Sequence, residues 1–334
     1  MSSAVVVEAP GTHRVVAHEP GEPGPGEALV RVHAVGICGS DREVYQGNRP
    51  EGYVRYPLTP GHEWSGTVAA VGTGVPDSLV GRKVVGEGFR NCQVCERCHA
   101  GETTLCTAGY EETGFTQPGA MAATLVLPAR LLHVLPDAVD LTAAALLEPA
   151  ACIAAAALKA RARPGERVAV VGTGTLGMFA VQFLAAHSPA ELLVVGSRDE
   201  RTSLSRQFGA TDFRLHSDPL PDDFDVVIEA AGGAGAARTA ASLLRRGGRL
   251  VLTGLPAAGA EGLDPTDLVL RQLEVQTVFG AAPEAWAYAV RAFGAGVLDP
   301  AALVTHELAL GRFAEAIELV GAGDPKVGKV LLRP

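Results

Sequence analysis

The chain has no excess of positive charge: across 334 residues, 28 Lys and Arg stand against 37 Asp and Glu, a formal net charge of −9. Such a balance repels phosphate backbones and presents no broad basic face, which argues against nucleic acid and anionic membranes as partners. A long apolar run is also missing. The nearest approach, residues 141–158, is mostly alanine and is broken by Glu148 and Pro149, which makes it a poor membrane span. The opening residues MSSAVVVEAPGTHR lack the positive charge, apolar run and cleavage site of an export signal, so the cytoplasm is the expected location. No internal repeat or low-complexity linker is present. Charged residues make up only 19% against 47% hydrophobic, which excludes a disordered chain. At roughly 100 to 200 residues per domain the length predicts two domains, each large enough for its own core.

What is there changes texture part-way along. The first 140 residues read as short strands between glycine and proline turns, such as Ala28 to Val35 and Gly66 to Val71. From Leu141 an alanine-rich helical segment gives way to apolar strands alternating with helices, the signal of a parallel sheet. Strands are expected at Arg167 to Val171, Leu192 to Gly196, Asp225 to Glu229, Arg249 to Thr253 and Val275 to Phe279. The ending VGKVLLRP reads as a strand returning to the first domain.

Three motifs carry chemistry. In VAVVGTGTLG a buried strand runs into Gly172, Gly174 and Gly177, with Thr175 and Leu176 opening a helix, the arrangement that cradles a dinucleotide pyrophosphate. The next strand should end in an acid if it is to hold a ribose 2′-hydroxyl. It ends instead in Gly196, followed by Ser197, Arg198 and Arg201, which favours the 2′-phosphate of NADP, with NAD as the lesser choice. Next, Cys92, Cys95, Cys98 and Cys106 crowd into fifteen residues, a density suited to a closed four-sulfur zinc site with a structural role. The third constellation is dispersed: GICGSD supplies Cys38, Ser40 and Asp41, GHEWSG supplies His62 and Glu63, and LLEPAAC supplies Glu148. One thiolate, one imidazole and one carboxylate match a catalytic zinc with an open position, although a lone Cys or His is more often core than ligand.

These segments, GICGSD at 36–41, GHEWSGTVAAVGTGV at 61–75, the four-cysteine lobe, LLEP at 146–149 and VGTGTLG at 171–177, resemble in order and spacing the zinc-containing medium-chain dehydrogenase/reductase family. Alcohol, polyol, sugar and threonine dehydrogenases belong to it. The resemblance spans essentially the whole chain. It implies an α/β protein with a GroES-like β-rich catalytic domain built from residues 1–140 and 284–334, including a zinc lobe at 90–107. A Rossmann doubly wound parallel-sheet coenzyme domain over 141–283 completes it, with the active site in the cleft between.

The same resemblance places the catalytic zinc on Cys38, His62 and Glu148, with Glu63 able to approach or replace a ligand, and makes Asp41 the acceptor of the His62 ring N–H. Cys152 falls near the nicotinamide in relatives and reads equally as a small core residue. Ser40 would take the hydroxyl proton, and the histidine that often continues the relay is replaced here by Glu43, which reads equally as a surface carboxylate paired with a cation. Together these imply a secondary-alcohol dehydrogenase with two zinc ions per chain, a small polar alcohol as substrate, and a homodimer or homotetramer. The alternatives are a zinc-free NADPH-dependent reductase or NADPH-binding relative of the same fold, and a zinc-ribbon interaction protein. Cys38, His62 and Glu148 together speak against the former, the glycine motif and acidic charge against the latter.

Overall fold

The computed structural model describes residues 2–256 and 259–334. Their contacts divide them into two units, Met1–Glu148 with Ala282–Gly294 and Asp299–Pro334, and Pro149–Ala281 with Ala295–Leu298. No helix among the described residues is long and apolar enough to cross a membrane.

In the first unit, the long strand Glu27–Gly36 is central. It pairs antiparallel with Glu63–Val71 and Thr124–Pro128, and through Val35 and Gly36 with the terminal strand Lys329–Arg333. The chain's last strand thus returns to the β-rich unit. Alternation sets the faces of Glu27–Gly36: Ala28, Val30, Val32 and Ala34 are buried while Arg31 and His33 are exposed. Trp64, Met121, Leu127 and Phe313 fill the core beneath. Burying an aromatic or aliphatic side chain of this size contributes about 1.5 to 3 kcal/mol, so this core fixes the register that brings the ends of two strands together.

The second unit holds a parallel sheet in the order Asp212–Leu215, Glu191–Gly196, Arg167–Val171, Phe224–Glu229, Leu244–Leu252, Glu274–Thr277. Strand Arg167–Val171 is fully apolar at its centre because both its faces are covered. The strand order reverses beside it, so the carboxyl end of Arg167–Val171 lies at the switch point where doubly wound sheets receive ligands. Two elements differ from the sequence reading: Asp212–Leu215 adds an edge strand, and Pro265–Arg271 adds a helix, begun by an Asp264 cap that accepts from Thr266 N at 2.8 Å.

Candidate active site

The first cluster forms where two strand ends meet a helix start. Cys38 is the N-cap of the helix Gly39–Gln46, and its extended backbone lets Asp41, three residues on, reach back to accept the Cys38 N–H at 2.8 Å. Asp41 is thereby fixed with its other oxygen, Oδ1, 3.6 Å from His62 Nδ1. His62 and Glu63 lead into and open the strand Glu63–Val71, and Glu63 lies directly opposite Gly36. A Cβ at Gly36 would stand 2.2 Å from Glu63 Oε2, so only glycine leaves that carboxylate its place.

The ligand atoms of Cys38, His62 and Glu63 lie within 4.8 Å of one another. Asp41 Oδ1 and His62 Nδ1 are buried and face one another, while Glu63 Oε2 lies 2.5 Å from the Lys329 ammonium. With Nδ1 turned to Asp41, the other ring nitrogen of His62 is left to a metal, and a thiol, an imidazole and a carboxylate meeting this closely are the donor set of a zinc ion. The residues fit the metal. Glu148 is not part of this group: it sits half-buried in the first turn of Leu147–Ala160. Ser40 and Glu43 follow Cys38 on its helix, with the Glu43 carboxylate 45% exposed and 3.7 Å from Arg49 Nη1.

Three further residues shape this site and escaped the sequence reading. Lys329, buried in the terminal strand, donates to Glu63 Oε1 at 2.5 Å. Burial opposes the charge on Lys329, yet Glu63 and then Cys38 outweigh it and hold its pKa above the ordinary value. Arg49, only 6% exposed in its side chain, donates to Tyr53 O at 3.1 Å and to Tyr110 Oη at 3.0 Å, and stacks 3.8 Å over the Phe115 ring, which in turn packs 4.7 Å from His62. Glu112, which accepts from Tyr110 Oη, is also buried; its burial and the nearby Glu148 and Asp41 carboxylates push its pKa up to about 8, against the pull of His62 and Arg49.

A buried carboxyl that keeps its proton binds more protons folded than unfolded as pH rises from about 4.5 towards 8, so stability falls across that window. In the metal-free protein, Glu112→Gln is therefore expected to flatten the decline, by on the order of 2 kcal/mol between pH 5 and 8. Urea unfolding at a series of pH values checks this, and parallel curves for the two proteins would contradict it.

The second cluster is the cysteine lobe. Cys92, Cys95, Cys98 and Cys106 bring their sulfurs within 4.8 Å of one another, and none is in a disulfide. Cys95 caps the short helix Glu96–His99, and the backbone N–H groups of Thr107 and Cys98 bring its thiol down to about 5, while burial and the neighbouring Cys95 push the Cys98 thiol up to about 12. Arg130 anchors the root of the lobe by donating to Asn91 O at 2.6 Å and Asn91 Oδ1 at 3.1 Å.

In the second unit a cavity of about 480 Å³ opens at the end of Arg167–Val171. Its glycines act differently. Gly172 has φ +120° and a Cβ there would meet the Ala230 carbonyl carbon at 2.9 Å; Gly174 faces open space; a Cβ at Gly177 would lie 2.0 Å from Gly172 O. Thr175 and Leu176 begin the helix Thr175–Ala185. Gly196 and Ser197 line the cavity, whereas Arg198 and Arg201 stand on the loop beyond that wall. Cys152, half-buried on Leu147–Ala160, is outside it too.

Comparison with known proteins now bears on this geometry. The alcohol dehydrogenase GroES-like domain family matches residues 24–137, and the zinc-binding dehydrogenase family matches residues 175–295. A sorbitol dehydrogenase of Halalkalibacterium halodurans is 30% identical, over 99% of each chain. The chain belongs to the zinc-containing medium-chain alcohol and polyol dehydrogenase family. Among solved structures, a zinc-binding dehydrogenase from Sinorhizobium meliloti 1021 bound to NADP aligns with TM-score 0.91 at 27% identity, covering 100% of this chain and 99% of that one. An alcohol dehydrogenase from Escherichia coli CFT073 complexed with NADH aligns with TM-score 0.92 at 26% identity, over the same shares. Membership of this family makes the protein an NAD(P)-dependent dehydrogenase with the GroES-like and Rossmann folds.

Proposed function

We propose that this dehydrogenase oxidises a secondary alcohol bearing further polar groups, such as a polyol, cyclitol, sugar or amino alcohol, to the ketone, converting NADP⁺ to NADPH with release of one proton. The observation that carries the reading is the buried meeting of Cys38, His62 and Glu63, three ligand atoms within 4.8 Å, in a chain of the zinc dehydrogenase family whose relatives include a sorbitol dehydrogenase. Those three residues would hold the catalytic zinc, with Glu63 rather than Glu148 as the resting carboxylate ligand. When bound, zinc supplies the Lewis acidity that lowers the pKa of a substrate hydroxyl. A second zinc would sit on Cys92, Cys95, Cys98 and Cys106, closed to substrate by its four sulfurs.

The chain's own residues do the rest. Asp41 holds the Cys38 backbone and faces His62 Nδ1, orienting both. Ser40, on the first turn beside Cys38, takes the hydroxyl proton. Glu43 lies three residues on along the same helix face and half in solvent, placed to carry the proton outward. Gly172, Gly174, Thr175, Leu176 and Gly177 would receive the pyrophosphate, and Cys152 would lie towards the nicotinamide. A zinc-free reductase would have no use for a thiol, an imidazole and a carboxylate brought within 4.8 Å of one another.

The six free cysteines suit a reducing cytoplasm. Val269 and Leu270, 74% and 64% exposed in a helix that precedes the edge strand Glu274–Thr277, offer apolar surface to a second copy, in keeping with a dimer or tetramer.

Coenzyme choice rests on Gly196. A Cβ there would stand 2.8 Å from both Phe213 Cζ and Thr173 Cγ2, so packing as well as sequence denies this strand its acid. Charge-assisted hydrogen bonds contribute roughly 1.5 to 3 kcal/mol, and kcat/KM is expected to favour NADP over NAD by about tenfold to a hundredfold. A panel of polyols, aminocyclitols, aldoses and threonine assayed with both coenzymes tests this; preference for NAD would refute it. The reversal needs room on both sides, so Gly196→Asp should switch preference only when paired with Phe213→Ala and Thr173→Ala.

A further inference from the structure

Five carboxylates are buried among the described residues: Asp41, Glu63, Glu87, Glu112 and Glu229. Four of them stand beside a basic side chain. Asp41 faces His62 at 3.6 Å, Glu63 pairs with Lys329 at 2.5 Å, Glu87 with His133 at 3.0 Å and Glu112 with Arg49 at 3.8 Å. Glu229, 2% exposed, is the exception, and no lysine, arginine or histidine among the described residues pairs with it. It ends the strand Phe224–Glu229, in register with Val171, the last residue before Gly172. Its Oε1 accepts from Ala231 N and Gly232 N, both at 2.7 Å, and so fixes the turn whose Ala230, Ala231 and Gly233 line the coenzyme cavity. Its Oε2 has no hydrogen-bond partner among the described residues, and Gly254 leaves it room, since a Cβ there would stand 2.8 Å from it. Two neutral N–H groups do not cancel a unit charge, and a buried charge without a counter-ion is costly.

We propose that Glu229 biases the cavity towards the oxidised coenzyme: its carboxylate, held just behind the wall at Ala231, is the counter-charge to the cationic pyridinium ring and gains nothing from the neutral dihydropyridine. The inference rests on the reading above that sets the adenosine ribose beside Gly196 and Ser197, and goes beyond it. With the pyrophosphate at Gly172, Gly174 and Gly177, on the strand where the sheet order reverses, the two nucleotide halves lie to either side. The adenosine half takes the Gly196 side, which leaves the nicotinamide half the side closed by the turn after Glu229. Every residue lining that side, from Ala230 to Thr239, is alanine, glycine or threonine, so no side chain in the wall carries a competing charge. Alcohol oxidation begins with the cationic ring and ends with the neutral one. A fixed negative charge therefore tightens the coenzyme that enters and loosens the one that leaves.

The test is isothermal titration of the wild-type protein, Glu229→Gln and Glu229→Asp with oxidised coenzyme, reduced coenzyme and ADP. It is run with both the NAD and the NADP pairs, because the 2′-phosphate belongs to the other half of the molecule. Two unit charges acting across roughly 10 Å at an effective dielectric of about 20 change an affinity by about tenfold. Glutamine keeps an oxygen that accepts both N–H groups and removes the charge. The ratio of oxidised to reduced affinity should therefore fall about tenfold in Glu229→Gln, with ADP affinity within about a factor of two of the wild type. Glu229→Asp, which keeps the charge, should hold the ratio near the wild-type value even where its shorter reach weakens every ligand. An unmoved ratio in Glu229→Gln with ADP also unmoved would overturn the inference and leave the placing of the adenosine ribose standing. A gain in ADP affinity with the ratio unmoved would overturn both, because the diphosphate half would then be the one relieved of the carboxylate. Equal loss of all three ligands, or loss of cooperative melting, would overturn the inference by showing that Glu229 only props the turn.

Discussion

Cys38→Ala and His62→Ala are each expected to lower kcat/KM for alcohol oxidation by at least about a thousandfold while leaving the fold intact. An unassisted secondary hydroxyl holds its proton far above neutral pH, and a bound metal ion stabilises the developing alkoxide by several kcal/mol, each 1.4 kcal/mol being tenfold in rate. Cys38 is a helix cap whose backbone, rather than its sulfur, holds Asp41, so alanine preserves that contact. His62 is buried against Phe115, so its loss leaves a modest cavity without unpairing a strand. Metal analysis should fall from two zinc ions per chain to one, the survivor being held by the cysteine lobe. Circular dichroism and thermal melting establish that the chain is folded. A folded Cys38→Ala protein with wild-type turnover would dismiss this cluster as the catalytic centre.

Lys329→Met is expected to destabilise the metal-free protein by about 3 to 5 kcal/mol. Its ammonium is the direct ion partner of Glu63, and removing one member of a buried pair strands the other charge in a medium that cannot solvate it. Methionine preserves the aliphatic stem's packing, so the loss reads charge rather than volume. The second substitution Glu63→Gln, made in the same chain, should recover most of the loss, because the stranded charge is then gone. Zinc should narrow the deficit as well, since a cation beside Glu63 can replace the ammonium. Urea unfolding of the four proteins, with and without zinc, measures this coupling. Additive effects of the two substitutions would mean that the pair does not hold this corner together.

Much of this was legible in the residues, for physical reasons that differ from place to place. Strand Arg167–Val171 matches its expected bounds because an uninterrupted apolar run ending in glycine has few other uses in a parallel sheet. The cysteine lobe was legible because its ligands are neighbours in the chain. Edge strand Asp212–Leu215 was not: four residues alternating Asp, Phe, Arg and Leu give too short a period to separate from a loop, and its identity comes from pairing with Glu191–Gly196. That Glu63 meets Cys38 and His62 was hidden for a similar reason. Strand register against Gly36 decides where Glu63 points, and no local pattern encodes that register. Lys329 lies 266 residues from Glu63, so nothing local in the terminal strand points to their pairing. No local pattern marks Arg49 or Glu112, because it is folding that buries both side chains. Glycine spacing foretold the coenzyme loop, but His216 enters that cavity only because the unrecognised edge strand ends beside Ser197.

The most direct measurement is a zinc titration of the stripped enzyme, following NADPH formation from a polyol such as sorbitol or from the best substrate of the panel against metal bound per chain. A chelator strong enough to empty the mixed site but too weak to open the four-sulfur lobe gives the starting material, with one zinc per chain and no activity. Activity should then rise in proportion to the second equivalent of zinc and stop at two, and the Cys38→Ala protein should neither bind that equivalent nor regain turnover. Full alcohol oxidation at one zinc per chain, with that zinc held by Cys92, Cys95, Cys98 and Cys106, would contradict the assignment of catalysis to Cys38, His62 and Glu63.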